Sequence, residues 1–154
     1  MLTKKDLLIL TQLRNNSRET LTKISKNTGV PISTIFDKIK CYQGNLIKKH
    51  TSLIDFSKLG FNARANIMVK VDRDKREEAK KFLLNHPNIN SIYKISNGFD
   101  FLIEGIFKNV KDVEDFIDSL NGKFKLEQTQ VYYIIEDIKK EEFMNNKELL
   151  NLVV

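Results

Sequence analysis

Residues 21–40 read LTKISKNTGVPISTIFDKIK, and their apolar spacing is that of two short helices that meet at a turn. Helices that cross steeply bury residues three or four positions apart, and here those are Leu21, Ile24, Val30, Ile35 and Ile39. Gly29 stands at the turn, where only glycine takes a left-handed conformation without steric cost. Pro31 cannot continue the first helix but suits the start of the second. The segment therefore predicts a helix-turn-helix.

A third helix precedes this segment, and a basic run follows it. Apolar residues between Asp6 and Asn15 recur with helical period, so residues 4–43 predict three helices in all. A Gly-Asn pair then interrupts the last helix, and residues 46–50 predict a short basic strand leading away. Residues 1–50 are thus predicted to form a three-helix domain of the winged/helix-turn-helix type.

The net charge of the chain is concentrated in this first third. Residues 1–50 hold ten basic and three acidic side chains, a net charge of +7, whereas residues 51–154 carry a net charge of −1. Lysine and arginine that neutralise phosphates release condensed counterions and so provide affinity for any nucleic acid. A solvated basic face is the alternative interpretation, but together with a helix-turn-helix the charge favours double-stranded DNA as the partner.

The second half of the chain changes period from helix to strand. Residues 63–71 alternate apolar and polar, as a half-buried strand does. The same criteria then predict, in order, a helix at 77–85, strands at 89–96 and 99–107, a helix at 110–120 and a strand at 126–138. Asn97-Gly98 accepts positive φ at both central turn positions, so a tight hairpin is expected there. The β-α-β-β-α-β order predicts an α+β fold with a ferredoxin-like second domain.

Both faces of this predicted sheet carry apolar side chains. One face is expected to hold Leu102, Ile106, Tyr132 and Ile134, and the other Phe101, Ile103, Tyr133 and Ile135. Two helices can cover only one face, so the other predicts packing against a second copy of the chain. We expect a homodimer through this domain.

The expected boundaries are a DNA-binding domain at 1–50, a linker strand or hinge at 51–62, a regulatory and dimerisation domain at 63–138, and a tail at 139–154. The tail ends in Leu149, Leu150, Leu152, Val153 and Val154. An apolar end of this kind predicts a short helix docked on the sheet or on a partner subunit, and a disordered tail is the alternative.

With these pieces in this order, the chain resembles the Lrp/AsnC family of archaeal and bacterial feast/famine regulators over nearly its whole length. The segment GVPISTIFDKI, residues 29–39, is similar to the family's recognition helix, and Leu46-Ile47 and Leu59-Gly60 match two further landmarks. The resemblance implies a transcriptional regulator whose ferredoxin-like domain, of the RAM or ACT-like kind, pairs sheets in a dimer. It also implies assembly to octamers and amino-acid binding between dimers.

Three positions depart from the family's pattern. Lys38 replaces the usual arginine, so a bidentate contact becomes a point-charge contact. The connection CYQGNLI, residues 41–47, is one residue shorter than the common form. The family's effector loop reads Gly-x-Tyr/Phe-Asp, whereas this chain has Asn97, Gly98, Phe99 and Asp100 as its expected effector residues. A β-carbon at position 97 would obstruct a ligand carboxylate that approached the backbone. A regulator of the same family without an effector is therefore kept as an alternative.

The expected DNA contacts fall into two groups. Ser33, Thr34, Asp37 and Lys38 are predicted to reach base edges and nearby phosphates, because a recognition helix enters the major groove with its N-terminal part. Arg18, Lys23, Lys26, Lys40, Lys48 and Lys49 are predicted to contact the phosphate backbone. Asp37 could instead pair locally with Lys38, Lys40 or Lys4, and this interpretation is favoured.

The sequence offers little for other functions. Cys41 is the only cysteine, and neither His50 nor His86 has a further ligand at metal spacing, so no metal, cofactor or catalytic residue is expected. No apolar run could span a bilayer, which predicts a cytoplasmic protein without a membrane partner. The enzymatic alternative is a sirohaem decarboxylase, because some relatives with this domain pair are such enzymes, but the second domain is poor in the histidine and arginine they use.

Overall fold

The computed structural model describes residues 2–152. Their helices and strands follow the order α1 Lys4–Asn15, α2 Leu21–Thr28, α3 Ile32–Tyr42, β1 Ala63–Val71, α4 Arg76–Leu84, β2 Ile89–Lys94, β3 Phe101–Phe107, α5 Val110–Phe124, β4 Leu126–Tyr133 and α6 Lys147–Leu150. Short 3-10 helices occupy Phe56–Leu59 and Arg73–Lys75. The chain divides into two compact units: the first contains the residues up to Leu53 and those from Ile138 onward, and the second is Ile54–Asp137.

The first unit packs three helices around a small apolar core. Ile9, Ile24, Val30 and Ile35 are each at most 1% exposed, so one residue from each helix and one from the turn share this core. Gly29 ends α2 with φ at +71°, as predicted for the turn, and its N–H donates to the Ser25 carbonyl across 2.8 Å. The helix-turn-helix is thus formed by the residues that the sequence indicated.

The second unit is one antiparallel sheet in the strand order β2-β3-β1-β4. Ile67 of β1 lies opposite Ile103 of β3 and Val131 of β4, so these three residues form one row across the central strands of the sheet. Alternate β1 residues are buried against the helices; they are Ala63, Ala65, Ile67, Val69 and Val71. Leu83 of α4 and Leu120 of α5 are fully buried against this layer, and each such leucine contributes about 1.5–3 kcal/mol of burial free energy.

Several element ends differ from the sequence prediction. The basic strand expected at 46–50 is not formed; a single bridge between Gln43 and Ile47 remains, because no strand lies alongside to pair with it. The linker at 51–62 holds a 3-10 helix and no strand. β4 ends at Tyr133 rather than at Ile138, so Ile135, which was expected on the same face as Phe101 and Ile103, lies beyond the strand and is 92% exposed.

The C-terminal tail joins the helical unit through α1. A short helix is present, as expected, and Leu150 in it is only 3% exposed; this helix packs against α1 of the same unit, where the sequence predicted the sheet or a partner subunit. Arg14 of α1 donates to the carbonyls of Glu141 and Phe143 across 2.9 and 3.0 Å. Val153 and Val154, assigned by sequence to the apolar end of the tail, lie outside the described residues. None of the helices in residues 2–152 is long and apolar enough to cross a membrane.

Candidate nucleic-acid interface

The third helix has one buried side and one side open to solvent. Ile35 and Tyr42 point inward and are nearly or fully buried. Apart from Cys41 in the last turn, the exposed residues fall on the opposite side at the spacing i, i+1, i+4, i+5 and i+8, and we call them the α3 face: Ile32, Ser33, Phe36, Asp37 and Lys40. Three of them carry polar groups that can exchange hydrogen bonds with a ligand. The helix begins after Pro31 without a side-chain cap, so its first N–H groups are available as well.

Lys38 is turned away from that face and toward α1. Its Nζ lies 2.5 Å from Oδ1 of Asp6, and its side chain is only 29% exposed. The hydroxyl of Tyr42 donates to the same carboxylate oxygen. The geometry makes Lys38 part of the contact between α1 and α3 rather than part of the α3 face.

Asp6 is the centre of this buried network. It also closes the N-terminus of α1: its carboxylate accepts from the N–H and the hydroxyl of Thr3 at 2.6 and 2.5 Å, while the Thr3 hydroxyl accepts from the Asp6 N–H. The Lys38 ammonium, with the Thr3 and Tyr42 hydroxyls, holds the pKa of the Asp6 carboxyl well below its usual range. Burial and this carboxylate raise the pKa of Tyr42 above its ordinary value. Asp6 is therefore ionised at neutral and mildly acidic pH.

Asp37 makes no hydrogen bond or ion pair to any described residue. The local pairing with Lys38, Lys40 or Lys4 that the sequence favoured is therefore not formed. Lys38 is already held by Asp6, and neighbouring positions on a helix point about 100° apart, so its side chain diverges from that of Asp37. The carboxylate of Asp37 is free to accept from a ligand.

The remaining predicted DNA contacts are all in the first unit. Thr34 is half-buried at the edge of the α3 face. Lys23 pairs with Glu19 across 2.9 Å but keeps 61% of its side chain exposed. The other basic residues of the set are exposed: Arg18, Lys26, Lys40, Lys48 and Lys49. The unit thus presents a polar helix face beside several exposed cations.

Two groups of residues were missed by sequence reasoning. Lys38 shares a buried network with Asp6, which lies 32 positions before it, and Tyr42, which lies 4 positions after it. Only the crossing of α1 and α3 brings Asp6 close to the other two residues. Ile32 and Phe36 are 46% and 55% exposed, although apolar residues in a helix usually predict core. Ile32, Ile35, Phe36 and Ile39 have the spacing i, i+3, i+4, i+7 of a single buried helix face, so local periodicity gave no signal that Ile32 and Phe36 are exposed.

The expected effector residues lie in a loop between β2 and β3. Asn97 and Gly98 both have positive φ, +68° and +87°, as the Asn-Gly pair predicted. However, β2 ends at Lys94 and β3 begins only at Phe101, so the connection is longer than a tight hairpin. Asp100 has a structural role. Its carboxylate accepts from the Val71 N–H across 2.8 Å and lies 2.9 Å from Nε of Arg76.

A separate cleft of about 430 Å³ opens elsewhere on the second unit. It is lined by Phe61, His86, Asn88, Phe107, Lys108, Asp112, Asp115 and Phe116. The four expected effector residues are not among them. Burial, and then the nearby Lys123 charge, lower the pKa of His86, so the imidazole in this cleft is neutral near pH 7. No group of three potential metal ligands occurs within residues 2–152.

Comparison with known proteins identifies the family to which this fold belongs. Residues 64–143 match the Lrp/AsnC ligand binding domain. The chain is also 31% identical over 136 residues to the HTH-type transcriptional regulator FL11 of Pyrococcus horikoshii, covering 88% of this chain and 90% of that relative. The chain belongs to the Lrp/AsnC family. A DNA-binding transcriptional regulator is therefore the right class, and an enzyme is not.

Solved structures of Lrp/AsnC proteins have the same fold. A transcriptional regulator of Neisseria meningitidis, determined as a complex with L-Met, superposes with a TM-score of 0.83 at 21% identity over 91% of this chain and 94% of that one. LrpC of Bacillus subtilis gives a TM-score of 0.81 at 22% identity over 90% and 98% of the two chains. At these identities the likeness establishes the fold, a helical unit and a four-stranded sheet, and no residue role.

Proposed function

We propose that this Lrp/AsnC regulator binds double-stranded DNA by inserting the α3 face into the major groove. The observation that carries the proposal is that α3 keeps Ser33 and Asp37 exposed while Asp6 and the core hold its other side. Base readout requires a rigid helix with a polar outer face, because hydrogen-bond donors and acceptors that are misplaced cannot distinguish one base pair from another. Thr34 adds a hydroxyl at the edge of the same face.

The surrounding cations would supply most of the affinity. Phosphate contacts fix the register of a protein on DNA without reading sequence. We assign this role to exposed basic residues of the first unit: Arg18, Lys23, Lys26, Lys40, Lys48 and Lys49. Lys38 receives a different role from the one its sequence position suggests. Because Asp6 holds its ammonium, Lys38 is a positioning residue that sets the angle of α3 on α1.

A homodimer through the open face of the sheet fits this way of binding. On that face Leu102 lies opposite Met68 on one side and Tyr93 on the other, and Tyr132 lies opposite Asn66. Tyr93 and Tyr132 are 55% and 51% exposed. Burying such a row in a symmetric interface removes apolar area from water, and two-fold symmetry then predicts a pseudo-palindromic operator with half-sites about one helical turn, or a multiple, apart. Assembly of dimers to octamers belongs to the same proposal.

An amino acid is the effector that the family suggests, and we place it beside the loop of Asn97, Gly98, Phe99 and Asp100. The L-Met complex of the Neisseria relative supports an amino acid as the ligand class. The Asp100 carboxylate is already engaged by Val71 and Arg76, so the loop would offer backbone groups and the Phe99 ring rather than a free carboxylate. Because the ligand is chromosomal DNA, the proposed site of action is the cytoplasm.

Selection of bound duplexes from a random DNA pool tests the whole proposal. The full-length chain is expected to enrich one pseudo-palindromic sequence, and a change in enrichment on adding a mixture of amino acids would support the effector. A Ser33→Ala, Asp37→Ala double variant should still bind DNA but lose or change the consensus, whereas Lys80→Gln, at an exposed position of α4, serves as the control with an unchanged consensus. If the wild-type chain enriched no sequence at physiological salt, the proposal would be rejected.

A further inference from the structure

The exposure of Phe36 on the α3 face is not explained by a role in hydrogen bonding or charge, since its side chain has neither polar atoms nor charge. Its side chain is 55% exposed in the second turn of an eleven-residue helix. Other exposed large apolar side chains of residues 2–152 lie in loops, in strands, at helix ends or in the four-residue α6. Ile32, 46% exposed, precedes Phe36 by one turn, so the two form a small apolar strip along the middle of the face.

The neighbours of this strip indicate what covers it. Lys40 follows Phe36 by one turn, and the first third of the chain carries a net charge of +7, so the partner is a polyanion. Asp37 lies beside Phe36 on the same face and has no cation among the described residues. A carboxylate facing a phosphate is repelled, so this part of α3 faces a region of the polyanion that carries no charge. In duplex DNA that region is the row of base edges on the floor of the major groove.

The floor of the major groove offers one apolar group, the C5-methyl of thymine, and phenylalanine is among the side chains that contact it. We propose that Phe36 is a specificity-determining residue that packs its ring against a thymine methyl in each half-site. This inference rests on the proposed DNA-binding function and adds the identity of a base. Ile32 flanks the same methyl or the sugar next to it, and Asp37 accepts from an adjacent cytosine or adenine amino group.

The test removes the methyl group without changing any hydrogen bond. In the selected operator, each thymine is replaced in turn by deoxyuridine, and the dissociation constant of the full-length chain is measured by fluorescence anisotropy. One thymine per half-site should prove sensitive, with binding weakened about fourfold per methyl, which corresponds to the burial of one carbon. The Phe36→Ala variant should bind thymine and deoxyuridine operators equally at that position. Phe36→Leu should retain part of the discrimination.

Phe143→Ala is the matched control, because Phe143 is also exposed, at 68%, and belongs to the same unit. It should discriminate thymine from deoxyuridine as the wild type does. Discrimination that persists in Phe36→Ala, or an operator in which no thymine is sensitive, overturns the inference while leaving DNA binding intact. Loss of self-association in Phe36→Ala, with DNA readout unchanged, also overturns it and assigns Phe36 to a contact between copies. Failure of the wild type to bind any duplex rejects the proposed function and the inference together.

Discussion

Nζ of Lys38 lies 2.5 Å from Oδ1 of Asp6, and this ion pair joins the middle of α3 to the first turn of α1. The carboxylate is 7% exposed and has three further donors, the N–H and hydroxyl of Thr3 and the hydroxyl of Tyr42. A buried charge with all its partners is tolerated, but removal of one partner leaves the other uncompensated. The ion pair therefore fixes the orientation of α3 relative to α1.

Asp6→Asn should destabilise the helical unit by about 2–3 kcal/mol near pH 7, because it removes the charge that Lys38 and the hydroxyls compensate. The pKa of Asp6 is lowered in the folded state, so its contribution is present above the unfolded pKa of about 4 and is lost as the pH falls below that value. The difference between wild type and variant should therefore shrink at about pH 3.

Urea unfolding followed by circular dichroism, with hydrogen exchange of the α1 amides to localise the effect, measures this difference. Asp37→Asn is the control, since Asp37 is exposed and has no described partner; its stability should match the wild type at both pH values. An Asp6→Asn variant that is as stable as the wild type near neutral pH would contradict the role assigned to the pair.

Lys40→Gln should weaken DNA binding about fivefold and reduce the slope of log K against log salt by about 0.9 for each protomer, because one fewer counterion is released. The order of preference among operator sequences should not change. Lys80→Gln removes the same charge from an exposed position in the other unit and should leave both quantities unaltered. Titrations at several salt concentrations separate the two outcomes, and an unchanged slope for Lys40→Gln would remove it from the set of phosphate contacts.

Leu102→Asp should convert the protein to a monomer, since it places a charge among Met68, Tyr93 and Leu102 on the open face of the sheet. Sedimentation velocity at micromolar concentration reports the mass directly. Leu84→Asp introduces the same charge at a residue that is 65% exposed at the end of α4, so it should sediment as the wild type does. A wild-type chain that is already monomeric would reject the dimer itself.

Asp100→Ala should destabilise the second unit by about 2 kcal/mol, because the buried N–H of Val71 loses its acceptor and Arg76 its partner. Asp118→Ala, in an exposed part of α5 without a described partner, should change stability by less than about 0.5 kcal/mol. Chemical denaturation of both variants tests this. Equal stability of the two would show that the Asp100 carboxylate is available for an effector after all.

Arg14→Gln should release the tail from α1, because one guanidinium holds both the Glu141 and Phe143 carbonyls. We expect trypsin to cleave after Lys147 about tenfold faster, because losing both hydrogen bonds removes about 1.4 kcal/mol net and so raises the population of the undocked segment about tenfold. Arg18→Gln, which removes an exposed guanidinium of the same unit, should be cleaved at the wild-type rate. Mass spectrometry of the fragments identifies the bond that is cut.

Local patterns in the sequence predicted most of the fold, because local chemistry determines it. The Gly29 turn follows from backbone sterics, and the period-two alternation of β1 follows from burial on one face of a sheet. Strand ends were less predictable. Ile134, Ile135 and Ile138 extend the apolar pattern beyond Tyr133, but β1 begins at Ala63, only two residues before the partner of Tyr133. The N–H of Ile134 still donates to the Arg64 carbonyl, and beyond it there is little of β1 left to pair with.

The candidate site was predictable in its location and less so in its details. A basic helix-turn-helix indicates which helix is exposed, but which side chains of it are free depends on contacts from elsewhere in the chain. Lys38 lies 32 positions from Asp6, and nothing at position 38 alone distinguishes a free ammonium from a paired one. Phenylalanine is typically a core residue, and Phe36 is exposed to solvent only because of the angle at which α3 packs on α1 and α2.

The Arg14 contact with the tail also bears on how the protein is made. Arg14 and Phe143 are 129 positions apart, so at about 5–20 residues per second the ribosome adds Phe143 roughly 6–26 s after Arg14. During that interval α1, α2 and α3 can fold, but the surface of α1 that the tail covers stays bare. The sheet, whose residues are contiguous, can form before the last helix arrives. The DNA-binding unit is therefore completed only after the whole of the sheet unit has been synthesised.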